Sequence, residues 1–108
     1  MIEDDIERLK AEHAAVFGPD ACPTWVKESL ARYVDHGIQP GDCLRAVLCN
    51  DLREAFARAD VETARSMAAI VAYVYNEVAT AACGSERRVD EWIDAHAYKL
   101  APIVVTAP

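Results

Sequence analysis

The stretch Met67–Tyr75, MAAIVAYVY, carries no polar group except its tyrosine hydroxyls. At helical period such a segment is apolar on every side. It must run through the middle of the fold or be covered by a second subunit. The pattern predicts a helix over 61–78, capped by Asp60 and opened by acidic Glu62. A chain built around such a helix needs amphipathic neighbours to cover it.

The rest of the sequence supplies those neighbours in short lengths. Residues 2–16 predict a first helix, with Glu3, Asp4 and Asp5 at the positive end of its dipole. Ile2, Ile6, Leu9 and His13 fall at helical spacing, with Val16 and Phe17 at the end, and Gly18-Pro19 stops it. That stripe is thin, so residues 1–20 are expected at the periphery. A second helix starts near Pro23, presents Val26, Leu30, Tyr33 and Val34 on one face, and ends at Gly37. Pro40 opens a third, with Asp42 in its first turn and Leu44, Ala46, Val47, Leu48 and Cys43 turned inward. Asn50-Asp51 predicts a kink or break, because both side chains compete for backbone hydrogen bonds. Leu52, Ala55, Phe56 and Ala59 then resume the apolar stripe, with Glu54 and Arg58 as an i,i+4 surface pair. Ser85 caps a last helix carrying Val89, Trp92 and Ile93. Trp92 matches the core stripe of its helix; Trp25 suits a core anchor and an exposed interface anchor equally. The tail at 99–108 reads as a strand-like arm or a loose end. The expected fold is all-α: a compact single-domain bundle, 1–108, of five to six short helices.

Composition sets limits on function. A chain of 108 residues is one domain by length. At 53% apolar it has the material for a core without staples. A net charge of −7 disfavours direct nucleic-acid binding and suits docking onto a basic protein. No apolar run approaches the ~18 residues of a membrane span, and the acidic start MIEDDIERLK lacks a leader's apolar segment. The expected location is a cytoplasm, where Cys22, Cys43, Cys49 and Cys83 are reduced thiols.

The residues that carry chemistry are scattered. Cys43 and Cys49 are six apart, which turns them roughly 240° from each other on one helix, unlike a metal clamp. His13, His36 and His96 stand singly, and four glycines make no phosphate loop. The QPGD turn at Gln39–Asp42 places an acid where an anion would bind. We therefore assign no catalytic residue, no metal ligand and no cofactor, and expect a non-enzyme. The polar candidates lie beside the Asn50-Asp51 break. Asn76 and Glu77 end the most apolar helix and need partners there, which Arg45, Arg53 or Arg65 can supply. An internal arginine–carboxylate brace is the plainer use of these groups. The alternative is a binding pocket made by Arg45, Asn50, Asp51, Arg53, Tyr75, Asn76 and Glu77.

The Gly37/Pro40 turn, the Asn50-Asp51-Leu52 run, Ala59-Asp60, Tyr75-Asn76-Glu77 and Gly84-Ser85 before Trp92 resemble a family of short accessory proteins of tailed phages and prophages. The likeness covers roughly Leu30 to Trp92, and its motifs mark a lineage rather than a mechanism. An aromatic is commoner in that family where this chain has Cys43, which argues against a functional Cys43. The resemblance implies an accessory gene product acting in a bacterial host cytoplasm. Three readings of function follow. The first is a protein that binds and inhibits a host protein, such as a CRISPR or other anti-phage defence component, through an acidic surface. The second is a sponge that holds a small nucleotide signal between helices or subunits. The third is a small hydrolase or metal enzyme. The apolar helix adds a homodimer to the expected partners, and no membrane.

Overall fold

The computed structural model describes residues 2–100, and within them the chain is all-helical. Seven α-helices follow one another: α1 (Ile2–Phe17), α2 (Thr24–His36), α3 (Asp42–Leu48), α4 (Leu52–Arg58), α5 (Val61–Arg65), α6 (Met67–Glu77) and α7 (Glu86–Leu100). Short 3-10 turns at Pro19–Ala21 and Thr80–Ala82 join α1 to α2 and α6 to α7. Of the tail expected over 99–108, residues 99 and 100 end α7, and 101–108 lie outside those described.

The helix boundaries fall where side chains and glycines can satisfy orphan backbone groups. Gly37 ends α2 at φ 66, a left-handed conformation that an L side chain rarely adopts. A Cβ there would also lie 2.5 Å from the Cβ of His96, so the turn lets α2 approach α7. At the other break, Asn50 sits at φ 63. The Asn50 N–H donates to the Val47 carbonyl at 3.0 Å and the Asp51 N–H to the Ala46 carbonyl at 2.8 Å, a Schellman closure of α3. Asp51 then caps α4, its carboxylate accepting from the Glu54 N–H at 3.1 Å. Asp60 caps α5 in the same way through the Thr63 N–H at 2.7 Å, and Ser85 Oγ accepts from the Arg88 N–H at 3.1 Å.

Three boundaries differ from the sequence reading. The helix expected over 61–78 is divided at Ser66, whose N–H is shared between the Glu62 and Thr63 carbonyls at 3.2 and 3.0 Å; this tightens the turn before α6 begins. The third helix begins at Asp42 rather than Pro40, with extended Gly41 at its N-cap. Pro23 likewise occupies the N-cap of α2 rather than its first turn.

The core gathers Val26, Leu30 and Tyr33 from α2, Leu44, Val47 and Leu48 from α3, Met67, Ile70 and Val74 from α6, and Val89 from α7. Tyr33 is its largest fully buried side chain. Its hydroxyl donates to the Ala82 carbonyl at 2.6 Å, and its own carbonyl accepts from the Trp92 indole N–H at 3.1 Å. Tyr33 thus clasps α2 to the Thr80–Ala82 turn and to α7. The Gly84 N–H caps the free Leu48 carbonyl of α3 at 2.7 Å, which fixes the approach to α7. Among the described residues no buried side-chain N or O lacks a partner. No helix of the described residues is long and apolar enough to cross a membrane.

Candidate functional site: an apolar groove between α1, α4 and α6

The apolar residues of α6 divide into two faces. Met67, Ala69, Ile70 and Val74 are buried, while Val71 and Tyr75 point away from the core. Leu52 and Phe56, one turn apart on α4, are also turned outward; only Ala55 on that helix is buried. The expected core stripe of α4 is corrected accordingly. A seven-residue helix offers two turns, and the small Ala55 side chain lets α4 lie close to α3, which sends its large residues to the other side. Cys43 Sγ reinforces that contact by donating to the Ala55 carbonyl at 3.3 Å.

The outward residues meet the last turns of α1. His13 and Phe17, with ring centroids 4.8 Å apart, wall one side of a groove of about 580 Å³; Leu52 and Phe56 wall another, and α6 from Met67 to Asn76 lines its length. The exposure is large for residues of this type: Leu52 51%, Phe56 48%, Val71 38% and Tyr75 85%. A second hollow of about 340 Å³, lined by Val47, Asn50, Val74, Cys83 and Gly84, shares Leu52, Val71 and Tyr75 with the first. The two form one apolar surface.

The structure divides the seven polar candidates between this surface and a different one. Tyr75 and Asn76 line the groove and Asn50 the adjoining hollow. Asn76 is spent on its own helix, its Nδ2 donating to the Ala72 carbonyl at 2.9 Å. Asn50 and Asp51 are the closure of α3 and the cap of α4. Arg53 and Glu77 are exposed. Arg45 lies in a separate polar cleft of about 250 Å³ with Asp51, Asp42, Glu54, Arg58 and Glu86. There it donates to Asp90 at 2.7 Å and to Gln39 Oε1 at 3.3 Å, with Glu86 at 3.8 Å. The hydrogen bond to Asp90 raises the Arg45 pKa further, so the guanidinium is permanently charged. An arginine–carboxylate brace exists, but it ties α3 to α7 rather than to Asn76 and Glu77. The Glu54–Arg58 pair forms as expected at 2.7 Å.

The thiols pack as small apolar groups. Burial pushes all four above the ordinary thiol range, with Asp60 adding to the effect at Cys43 and nearby Lys27, Arg45 and Arg88 opposing it at Cys22, Cys49 and Cys83. Among the described residues no group of three His, Cys, Asp or Glu side chains converges to hold a metal. Trp92 is half-buried and meets the His96 ring in a tilted contact, centroids 5.0 Å apart, whereas Trp25 is exposed.

Sequence reading missed the groove itself. Its signal is present in retrospect: Leu52/Phe56 and Val71/Tyr75 are each i,i+4 pairs, one on each of two neighbouring helices. No protein-family model, curated protein or solved structure matches the chain.

Proposed function

We propose that this chain is a non-enzymatic binding protein whose recognition surface is the α1–α4–α6 groove, and that the groove takes an amphipathic helix of a basic protein partner. One observation carries the reading: Leu52, Phe56, Val71 and Tyr75 form a single exposed apolar surface with the walls and length of a helix slot. Isolated soluble domains seldom leave such a surface uncovered, and its lining of aromatics and aliphatics suits helix-in-groove recognition. The eleven residues of α6 give a floor roughly 16 Å long, enough for anchors at i, i+3 or i+4, and i+7 of a docked helix. Acidic residues occur on every helix rather than on one face. The chain's net charge of −7 steers a basic partner, and the apolar groove supplies the affinity. The partner is a host protein held inactive in a bacterial cytoplasm, in keeping with the phage-accessory resemblance.

The nucleotide-sponge reading draws less support. The groove's lining holds no guanidinium or ammonium, and the two arginines of the polar cleft are paired with carboxylates. The deciding experiment is native mass spectrometry of the protein purified from its host, for the wild type and for Val71→Glu. The expected result is one stoichiometric host protein bound to the wild type and absent from the folded variant. Retention of that protein by Val71→Glu would overturn the groove assignment. An adduct of a few hundred daltons in its place would turn the reading to the sponge.

A further inference from the structure

The groove accounts for only the C-terminal turns of α1. The rest of that helix is a second feature, whose apolar seam shares His13 with the groove. α1 is sixteen residues long, about 24 Å, and every described side chain from Asp4 to Phe17 is exposed. Beyond the contact of its last turns with α6, the helix has no packed face, and a helix of this length standing alone is marginal in water.

Four of its five large apolar residues, all but Phe17, follow a rule stricter than amphipathicity, with His13 completing it. Ile2, Ile6, Leu9, His13 and Val16 are spaced four, three, four and three residues apart. That is the narrow heptad seam of a two-stranded coiled coil rather than the wider stripe of a helix lying on a globular core. In this register Ile6 and His13 are a positions, Leu9 and Val16 d positions, Asp5 and Glu12 g positions, and Lys10 an e position. The flanking charges choose an orientation. Two parallel helices set each g residue against the e residue of the other strand's next heptad, which pairs Asp5 with Lys10 of a second copy, twice by symmetry. Antiparallel helices set g against g, and both g residues here are acids.

We infer that α1 is a dimerisation helix, pairing in parallel with α1 of a second copy of this chain through the Ile6–Leu9–His13–Val16 seam. The seam spans little more than two heptads, and each copy carries −7, so the dimer is weak and concentration-dependent. His13 stands where coiled coils place a polar residue to fix register at a cost in stability.

Sedimentation equilibrium of the full chain tests the pairing. The wild type should show a monomer–dimer equilibrium, and Leu9→Asp should weaken it by roughly tenfold or more, the equivalent of about 1.4 kcal/mol. His13→Leu should tighten it. Asp5→Lys lowers the net negative charge and on that ground alone would favour association. Parallel pairing predicts that it weakens the dimer instead, by setting lysine against Lys10, and that Asp5→Lys/Lys10→Asp restores it. Circular dichroism of each variant confirms that the bundle stays folded. A wild type that remains monomeric at high concentration, or a dimer indifferent to Leu9→Asp, would overturn the inference. A dimer tightened by Asp5→Lys would overturn the parallel orientation.

Discussion

Tyr33 and Tyr75 both belong to apolar helix faces, yet one is the largest fully buried side chain and the other is almost entirely in solvent. The difference separates two regions of the molecule. Around Tyr33, α2, α3 and α7 close on one another, the buried side-chain polar atoms are matched, and the helix ends are shaped to allow close approach. Around Tyr75, α4 and α6 present the same kinds of residue to an open groove. Hydrophobicity alone therefore does not place a residue in this fold. Placement follows from how each short helix meets its neighbours: on α4 the small Ala55 faces the core and turns Leu52 and Phe56 out, whereas α6 buries Met67, Ile70 and Val74 and leaves Val71 and Tyr75 outside.

The largest expected contrast is between two leucines. Leu30→Ala removes a fully buried side chain from the closed region and should cost about 2–5 kcal/mol, whereas Leu52→Ala in the groove should cost about 0.5 kcal/mol or less. Urea unfolding of both variants measures the gap. Gly37→Ala comes next: the left-handed turn and the approach of His96 together should cost at least about 1 kcal/mol, seen as a lower melting temperature. The tyrosine pair sharpens the comparison further. Tyr33→Phe leaves the Ala82 carbonyl without its donor and should cost about 1–3 kcal/mol, while Tyr75→Phe should leave stability unchanged.

The smallest effect is in pH. Burial raises the folded-state pKa of Tyr33 and of all four cysteines. A raised pKa gives stability that is complete below the unfolded-state value and declines as pH rises above it toward the folded one. The melting temperature should hold steady to about pH 9 and fall beyond it, and a Tyr33→Phe background should lessen the fall. The four thiols should also alkylate slowly until the pH exceeds the ordinary thiol range. Asp60 acts at the other end: its bonds from Thr63 hold its carboxyl below the usual range, and that contribution is lost as pH falls through the lowered value.

Local chemistry made the closed region legible in advance. Gly37, Asn50-Asp51, Asp60 and Ser85 announce their turns and caps by residue type, because the groups that satisfy a helix end sit within a few residues of it. The inward faces of α2 and α3 follow from period alone. The partner of Arg45 was not legible, since Asp90 and Glu86 lie on a helix more than forty residues away and several carboxylates compete for that role. Neither was the division of Met67–Glu77 at Ser66 from the turn before it. The groove was hidden for a related reason: a stripe of Leu52, Ala55 and Phe56 reads as core until the packing of Ala55 on α3 decides which side is inside.

Ile70 and Val71 are adjacent on α6, alike in character, and fall on opposite sides of that decision. Urea unfolding of Ile70→Ala and Val71→Ala therefore tests the account most directly. The account predicts a loss of about 2–5 kcal/mol for the first and well under about 1 kcal/mol for the second. Equal losses at the two positions would mean that the groove face is core, and would contradict its assignment as a recognition surface.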